Sequence, residues 1–578
     1  MQDTCAQSPP MGQRSVAIRL RRLCLVLIAV LGVHGGSSQV CGQTNAPDAD
    51  EPAPIPQVSD LAADATGAVE QLTLEDRLNS GLHEVNGFLN TILFWDVTFG
   101  AFKHAEWDDQ GAPVMDEDGH PELNGPEFPF VVAFLAFGAI FFTFWHGWIN
   151  VRGFRHAIDC VRGKFDNPDD TGEVTHFRAL TSALSATVGL GNIAGVAIAV
   201  RTGGPGAVFW MMVLAVFGMT AKFHECTLAQ MFRRRNPDGS ISGGPMFYLR
   251  EGLEQLKLGP LGGVLSVVFA LMCIGGAIGG GNMFQANQSF EAFASAFEID
   301  VASNPWPARG YGIIMAGLVA VVIVGGITRI GAATSRIVPT MCGLYVIASV
   351  VIIAMNAAKI PSVISEIFTN AFAPDAALGG VIGVMVIGFT RAAFSNEAGL
   401  GSAAIAHAAA KTEEPVREGV VALLEPFIDT IVICALTATV VIITGAYVDA
   451  PEGAEGAAVT MYAFKYLPYI GGCFPFVLSL CIILFAYSTM ISWCYYGERS
   501  WASLFGYRSL VIFRIIFVAF VFIGSVTTLK EVLGFSDFMI LCMAFPNILG
   551  GLILAPMVKV KVKMYWRRYK SGQMQPTK

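Results

Sequence analysis

Charged residues are scarce in this 578-residue chain. They make up 14% of it, whereas 53% of the residues are hydrophobic, and the mean hydropathy is +0.55. A soluble chain carries roughly 25% charged residues, so this sequence has too few to cover a water-exposed surface. The scarcity excludes a soluble enzyme, a nucleic-acid-binding module and a disordered scaffold. The long uncharged apolar runs instead predict one polytopic membrane domain.

Cysteine motifs are also lacking. The twelve cysteines are scattered along the chain, most of them within apolar runs. None has the Cys-x-x-Cys or Cys/His spacing that is typical of a metal site. They are predicted to be small buried hydrophobic residues, and no cofactor is expected.

The first 40 residues have the pattern of a secretory signal peptide. Arginines at positions 14, 19, 21 and 22 precede a short apolar run at 23–33, and small residues follow at 35–38. An uncleaved anchor is the alternative. Residues 41–127 are predicted to be an extracytoplasmic linker with an amphipathic helix at 73–104. This linker contains no nucleophile–base pattern that would indicate an enzyme or a receptor domain.

About eleven membrane spans are predicted within residues 128–557. One extra helix at 128–150 precedes a core at 179–557. The ten core spans are placed near 179–200, 205–225, 263–288, 311–327, 337–357, 379–409, 419–445, 470–495, 509–525 and 536–557. Basic loops alternate with acidic or weakly charged ones, and the tail 558–578 is basic. The positive-inside rule therefore predicts a multi-pass bacterial inner (plasma) membrane protein with an extracytoplasmic amino terminus and a cytoplasmic carboxyl terminus.

Two of the predicted core spans contain residues that interrupt an apolar helix. The span 179–200 contains Gly189, Gly191 and Asn192, and glycine costs about 1 kcal/mol relative to alanine in a helix. The span 379–409 contains Arg391 and Glu397, and charges within a membrane usually face the bundle interior or an aqueous cavity. Glycines in one such segment alone would indicate only close helix packing.

The positions of the two interrupted spans make them informative. They are the first and the sixth core spans, which correspond in two sets of five, and such a pair indicates a transporter site. An unwound stretch in a membrane frees backbone groups that water cannot satisfy. The freed N–H groups can hold a carboxylate, and the freed carbonyls can hold a cation.

The residues around both interruptions resemble the alanine or glycine:cation symporter family, typified by the sodium:alanine symporter. The resemblance rests on GLGNIAGVA at 189–197, GGPGAVFWM at 203–211 and FSNEAGLGSA at 394–403. It implies an all-α, leucine-transporter-like five-plus-five inverted repeat with one extra N-terminal helix. It also implies sodium-driven import of alanine, glycine or both by alternating access.

The resemblance further implies particular site residues. Those implied to bind substrate are Gly189, Gly191, Asn192, Gln285, Ala392, Ser395, Asn396 and Trp493. Those implied to hold sodium are the hydroxyls of Ser488 and Thr489 and the backbone carbonyls near Ser185 and Val188. Three positions depart from the family pattern: Leu190 stands where threonine or serine is usual, Ala392 stands where many members have glycine, and Met212 stands where the family has a second tryptophan.

Three intramembrane charged residues, Arg391, Glu397 and Asp429, are candidates for coupling or gating. Arg391 and Glu397 either pair with each other or line the permeation path. Asp429 and Glu425 lie four residues apart, so they make either one interhelical contact or a cation or proton relay. A local structural role is predicted for His407.

The expected partners are L-alanine or glycine, sodium and the lipid bilayer, with no nucleic acid. The protein is not expected to be an enzyme. A channel or a proton-coupled transporter of small neutral amino acids on the same fold is the alternative, motivated by Glu397 and Asp429. Transport of D-alanine, the ion stoichiometry and the oligomeric state are left open.

Overall fold

The computed structural model describes residues 73–93, 96–97, 104–105, 123–124, 127–167, 169–236, 239–301, 304–324, 326–373, 380–465 and 474–574. The predicted signal peptide and most of the predicted linker lie outside these residues. A compact unit begins at Leu82 and contains everything discussed below except the first turns of α1. The described cysteines are free, and all of them except Cys342 are buried, as predicted.

The strands of the described residues form two short antiparallel pairs. In one, β1 (His104–Ala105) pairs with β2 (Leu123–Asn124), and in the other, β3 (Arg234–Arg235) pairs with β4 (Ile241–Ser242). Almost everything else is helical. The helices before the core are α1 (Leu74–Leu93), α2 (Phe130–Trp145), α3 (Ile149–Arg152) and α4 (Phe154–Val161).

The core helices form two successive sets. The first set comprises α5 (His176–Thr187), a π-helical turn (Gly191–Gly195), α6 (Val196–Gly203), α7 (Gly206–Met231), α8 (Pro245–Gln255), α9 (Gly259–Ile278), a π-helical turn (Gly279–Met283), α10 (Phe284–Ala296), α11 (Trp306–Ile323), α12 (Gly326–Met355), a 3-10 turn (Ala357–Lys359) and α13 (Ile360–Ala371). The second set comprises α14 (Gly380–Asn396), α15 (Ala403–His407), α16 (Pro415–Ala422), α17 (Leu424–Pro426), a π-helical turn (Phe427–Cys434), α18 (Ala435–Ile443), α19 (Ala446–Asp449), α20 (Ala457–Lys465), α21 (Phe474–Phe505), a 3-10 turn (Tyr507–Ser509), α22 (Leu510–Val526), α23 (Leu529–Cys542) and α24 (Ala544–Lys570).

Each predicted span corresponds to helical structure in the described residues. Among the described residues, eight helices are long and apolar enough to cross a membrane, and the pair α5 and α6, bent by 53°, makes a ninth. The shorter apolar helices α2 and α14 occupy the two remaining positions. The interrupted spans are therefore the first and the sixth of the core, and the predicted five-plus-five arrangement with one extra N-terminal helix is confirmed.

Local sequence explains where the central helices begin. The Thr175 hydroxyl accepts the Arg178 N–H at 3.3 Å and caps α5. Proline in the first turn of α8 and α16 costs no hydrogen bond, because first-turn N–H groups lack partners within a helix. Helix α7 packs against α2, α14, α15 and α16, whereas α21 packs against α5, α9, α10 and α12. These two helices place polar side chains beside both interruptions.

Candidate functional site

The first interruption lies between α5 and the π-helical turn that precedes α6. Helix α5 ends at Thr187, and Gly189 and Leu190 are not helical. The Gly189 N–H donates to Asn192 Oδ1 at 2.9 Å, and the Leu190 N–H donates to Gln285 Oε1 at 3.1 Å. The Gly189 N–H is shared with the carbonyl of Thr187, at 2.9 Å, whereas the Leu190 N–H, freed by the break, is satisfied by a side-chain oxygen.

Glycine is required at the centre of this break. A Cβ atom at position 189 would lie 2.5 Å from Thr489 Oγ1 and 3.2 Å from Gln285 Oε1. Both contacts are closer than atoms of folded proteins normally approach, so the backbone of the break and the side chains of α10 and α21 meet only because Gly189 lacks a side chain.

The second interruption lies between α14 and α15. Helix α14 ends at Asn396, whose Oδ1 accepts the Ala398 N–H at 3.0 Å. Glu397 follows with φ +54°, and Gly399 and Gly401 also have positive φ. A left-handed conformation is rare for a side chain such as glutamate and is often found at functional sites. The single predicted span 379–409 is therefore a helix, a left-handed turn and a short second helix.

The Asp429 carboxylate joins the two interruptions. Asn192 Nδ2 donates to Asp429 Oδ1 at 2.7 Å, and Ser395 Oγ donates to Asp429 Oδ2 at 2.7 Å. Thr430 Oγ1 also donates to Oδ2, at 2.8 Å, and accepts from Asn396 Nδ2 at 2.9 Å. Asp429 is fully buried and these donors are all neutral. A buried carboxylate without a cationic partner is costly, so a cation or a proton would stabilise this cluster.

The residues implied to hold sodium also lie together, where α5 contacts α21. Thr489 Oγ1 donates to the Ser185 carbonyl at 3.0 Å, and Ser185 Oγ donates to the Ser488 carbonyl at 2.9 Å. The Ser488 hydroxyl instead donates back to Phe485 O in its own helix, at 3.0 Å. Val188 follows the last turn of α5 and is buried. The structure therefore brings Ser185 and Thr489 together, with the Ser488 carbonyl rather than its hydroxyl beside them.

Trp493 is a buried wall of this region rather than an interfacial residue. Its exposed fraction is 2%, and its indole N–H donates to Glu397 Oε1 at 3.1 Å. A Cβ atom at position 281 would lie 2.3 Å from Trp493 Cγ, so the indole packs directly on the backbone of the Gly279–Met283 turn. In the same turn, the Gly280 carbonyl accepts from Gln285 Nε2 at 2.9 Å.

Two further residues that were predicted to bind substrate, Gly191 and Ala392, both lie close to Ser395. A Cβ atom on Gly191 would be 3.4 Å from Ser395 Cα, so the two interrupted segments touch at these residues. Ala392 is fully buried on α14, one turn before Ser395. Because residues three apart share a helix face, Ala392 extends the side of α14 that Ser395 presents to Asp429.

Arg391 and Glu397 do not pair with each other. Arg391 forms an ion pair with Asp537 of α23, and its guanidinium carbon lies 5.5 Å from the centre of the Phe394 ring. Glu397 accepts hydrogen bonds from Trp493 and Ser402. The sequence left two alternatives for these charges, pairing with each other or lining the permeation path. The first alternative, mutual pairing, is wrong.

A second buried polar cluster was missed from the sequence. His407 contacts both Glu418 and Glu425, which lie 11 and 18 residues further along the chain. Glu425 lies 3.3 Å from the Lys222 ammonium. Its partners therefore differ from those of Asp429, which are Asn192, Ser395 and Thr430. Lys222 lies inside the predicted span 205–225, and a charge at that depth was the available signal for this cluster.

Comparison with known proteins identifies the family of this chain. The model of the sodium:alanine symporter family matches residues 123–578. The sodium/alanine symporter AgcS of Methanococcus maripaludis is 39% identical over 441 residues, which cover 76% of this chain and 94% of that protein. The amino-acid carrier protein AlsT of Bacillus subtilis is 34% identical over 436 residues, with coverages of 75% and 88%. Among solved structures, MhsT in complex with L-phenylalanine aligns with a TM-score of 0.45 at 13% identity, over 66% of this chain and 98% of MhsT. The chain belongs to the sodium:alanine symporter family.

Proposed function

We propose that this protein is a sodium-coupled symporter that imports alanine, glycine or both by alternating access. Family membership makes it a cation-coupled amino-acid symporter of the membrane, in a family of transporters rather than enzymes. The observation that carries the finer proposal is the meeting of both interrupted spans at one buried carboxylate, Asp429, beside the hydroxyl-rich contact of α5 with α21.

The substrate carboxylate would bind at the first interruption. The N–H groups of Gly189 and Leu190 already hold side-chain oxygens, from Asn192 and Gln285 respectively. Two convergent amide donors at a helix break suit a carboxylate, which accepts stronger hydrogen bonds than a neutral amide. Binding then requires the two amide side chains to turn aside, which couples substrate entry to movement of Asn192 and Gln285.

The second interruption and the wall of the site limit the substrate to a small side chain. Trp493 packs on Gly281, and a Cβ atom at Gly280 would lie 3.3 Å from the Phe394 ring. Ala392 and Leu190 add bulk where the family pattern has smaller or more polar residues. These contacts favour a substrate with a methyl group or a hydrogen as its side chain, as in alanine and glycine.

Sodium would bind where α5 meets α21. The carbonyl of Ser185 and the hydroxyl of Thr489 already contact each other, and sodium prefers such uncharged oxygen ligands together with freed carbonyls such as that of Val188. An ion here would tie the first interruption to α21. One charge moving through about 100 mV supplies about 2.3 kcal/mol, enough for roughly fifty-fold accumulation.

Asp429 is the proposed coupling residue. Its neutral donors leave the carboxylate charge uncompensated, so a bound cation would stabilise it and tighten its bonds to Asn192 and Ser395. Those two residues belong to different interrupted spans. A charge at Asp429 therefore controls whether the spans are held together. The same carboxylate motivates the second candidate, in which a proton replaces sodium.

Uptake of labelled alanine into proteoliposomes tests the proposal. The full-length protein is reconstituted, and uptake is compared under inward sodium and inward potassium gradients, with equal pH on both sides. We expect strong stimulation by sodium only, and competition by glycine. Uptake that ignores sodium but follows an imposed pH gradient would contradict the proposal and favour the proton-coupled candidate.

A further inference from the structure

A continuous line of buried ionisable side chains leads away from the site. His407 Nδ1 lies 2.5 Å from Glu418 Oε1, and His407 Nε2 contacts Glu425. The other Glu418 oxygen contacts His176 Nδ1. All of these groups have exposed fractions of 1% or less. Such an alternation of imidazole and carboxylate gives every group a neighbour with which it can exchange a proton.

The line has one end at the protein surface. His176 Nε2 is 3.9 Å from Asp166 Oδ1, and the Asp166 side chain is 29% exposed. Asp166 lies in the loop between α4 and α5, next to basic residues that predict a cytoplasmic position. A separation of 3.9 Å is too long for a direct hydrogen bond, so proton exchange between the two groups requires a small movement of the Asp166 side chain.

The other end lies beside the second interruption. The Lys222 ammonium is 3.3 Å from Glu425 Oε2 and 3.3 Å from the carbonyl oxygen of Glu397. Glu225 Oε1 is 3.9 Å from the same ammonium. Lys222 therefore contacts both the left-handed turn at Glu397 and Glu425, the last carboxylate of the line.

The buried carboxylates of this region outnumber the cationic groups that contact them directly. Four buried carboxylates, those of Glu225, Glu397, Glu418 and Glu425, interact with Lys222 and two histidines, Glu397 only electrostatically. Even with both imidazoles protonated, three positive charges oppose four negative ones. An uncompensated charge in so buried a place costs several kcal/mol, so the cluster is stabilised by at least one additional proton.

Other ionisable groups around the line do not complete this balance. At the inner end, Cys226, Tyr248 and Tyr496 face the carboxylates, and thiols and phenols are neutral near pH 7. At the outer end, Arg233 donates to the carbonyls of Ala410 and Thr412 and interacts electrostatically with Glu413, Glu418 and Asp170, so its charge is shared among three carboxylates. Arg417 lies 3.9 Å from Asp170 in the same outer region.

We propose that His176, Glu418, His407 and Glu425 form a proton relay from the surface at Asp166 to Lys222, and that each transport cycle includes proton exchange with that side. A proton gained at His176 Nε2 allows Nδ1 to pass its proton to Glu418. Rotation of that carboxyl group brings the proton to His407 Nδ1, and Nε2 then passes its own proton to Glu425. One proton enters and one arrives, and no other bond changes.

The arriving proton would act on the second interruption. A neutral Glu425 attracts Lys222 less strongly than a carboxylate does, so the ammonium would shift toward Glu225 and the Glu397 carbonyl. This inference rests on the proposed symport only for its transport readout.

The first test follows proton binding without any substrate. Infrared difference spectra of the full-length detergent-solubilised protein after a pH jump would show the carbonyl band of protonated carboxyl groups, and Glu418→Gln identifies its contribution. His176→Asn keeps an N–H for Glu418 but lacks a second ring nitrogen. We expect the band to respond at least about tenfold more slowly in His176→Asn. An equally fast response would refute the relay.

Control variants guard against misfolding. His146→Gln alters another buried histidine, which contacts His224 rather than a carboxylate, and should leave the response unchanged. Asp166→Asn changes only the partly exposed entry residue and should also slow the response. A slowed response in His146→Gln, or a normal one in Asp166→Asn, would count against the relay.

The second test measures sodium-driven alanine uptake while pH is varied on each side of the proteoliposome separately. We expect wild-type uptake to change at least about threefold between about pH 6 and pH 8 on the Asp166 side only, and His176→Asn to be insensitive. Identical profiles for the two proteins would refute the relay and leave the symport standing. Absence of alanine uptake at every pH would refute the proposed symport, and the infrared result alone would then decide the relay.

Discussion

Replacement of Asn192 by alanine removes the side chain that ties the first interruption to Asp429. Its oxygen accepts the Gly189 N–H at 2.9 Å, and its nitrogen donates to the Asp429 carboxylate at 2.7 Å. A hydrogen bond to a charged group contributes about 1.5–3 kcal/mol, and a neutral one about 1 kcal/mol. Loss of both amounts to about 3 kcal/mol, which corresponds to about a hundredfold change in an equilibrium constant.

We expect Asn192→Ala to lower the apparent sodium affinity of alanine uptake by about that hundredfold, or to abolish uptake at accessible sodium concentrations. The assay is initial uptake into proteoliposomes over a sodium titration. Asn150→Ala is the matched control, because Asn150 is also buried but donates to Val216 O away from the site. Sodium dependence that is unchanged in a folded Asn192→Ala protein would refute the reasoning.

Three further predictions concern other contacts. In Gly281→Ala, the new methyl carbon would lie 2.3 Å from Trp493 Cγ, so the indole must move; we expect alanine uptake to fall at least about tenfold. Thr489→Val removes the hydroxyl through which α21 donates to the Ser185 carbonyl of α5. We expect the sodium concentration for half-maximal uptake to rise about tenfold. Outside the spans, burial and a nearby guanidinium lower the pKa of His156 to about 4. Because an unfolded histidine titrates at about 6.5, acid should weaken the packing of His156 on Trp566 as pH falls from about 6.5 towards 4, measured by tryptophan fluorescence.

Each of these predictions has a comparison that can contradict it. Gly317→Ala adds a methyl group with no atom within 4 Å, so uptake as low as that of Gly281→Ala would mean that the clash is irrelevant. Ser488→Ala removes a hydroxyl that bonds back to its own helix, and it should raise the sodium requirement less than Thr489→Val. A tryptophan signal that is unchanged in acid, or is unaffected by His156→Gln, would contradict the third prediction.

The sequence predicted the fold because its signals are local or periodic. Each apolar run became a helix or a bent pair of helices, since a membrane leaves the backbone few alternatives. Gly189 and Gly191 marked the first break directly. Motifs around them identified the family before any geometry was known, and the family match confirms that resemblance.

The partners of the charged side chains could not be predicted in the same way. Arg391 and Glu397 are six residues apart, yet their partners are Asp537, Trp493 and Ser402, most of them distant in sequence. Pairings across 96 and 146 residues leave no local pattern in one sequence.

The buried relay was overlooked for a related reason. Lys222 and His407 lie in different helices, and each alone suggests an isolated polar contact. Their chemistry becomes visible only when the fold aligns Glu425 and Glu418 between them. Intramembrane charges in a single sequence therefore indicate that a site exists but do not indicate its connections.

The most direct test of the central claim is reciprocal binding of sodium and alanine to the purified full-length protein. If both bind at the first interruption, sodium must raise the alanine affinity, and alanine must raise the sodium affinity by the same factor. Calorimetric titration of each ligand at several concentrations of the other measures both factors. We predict equal factors of about tenfold or more, both lost in Asn192→Ala. Alanine binding that is independent of sodium would contradict the account.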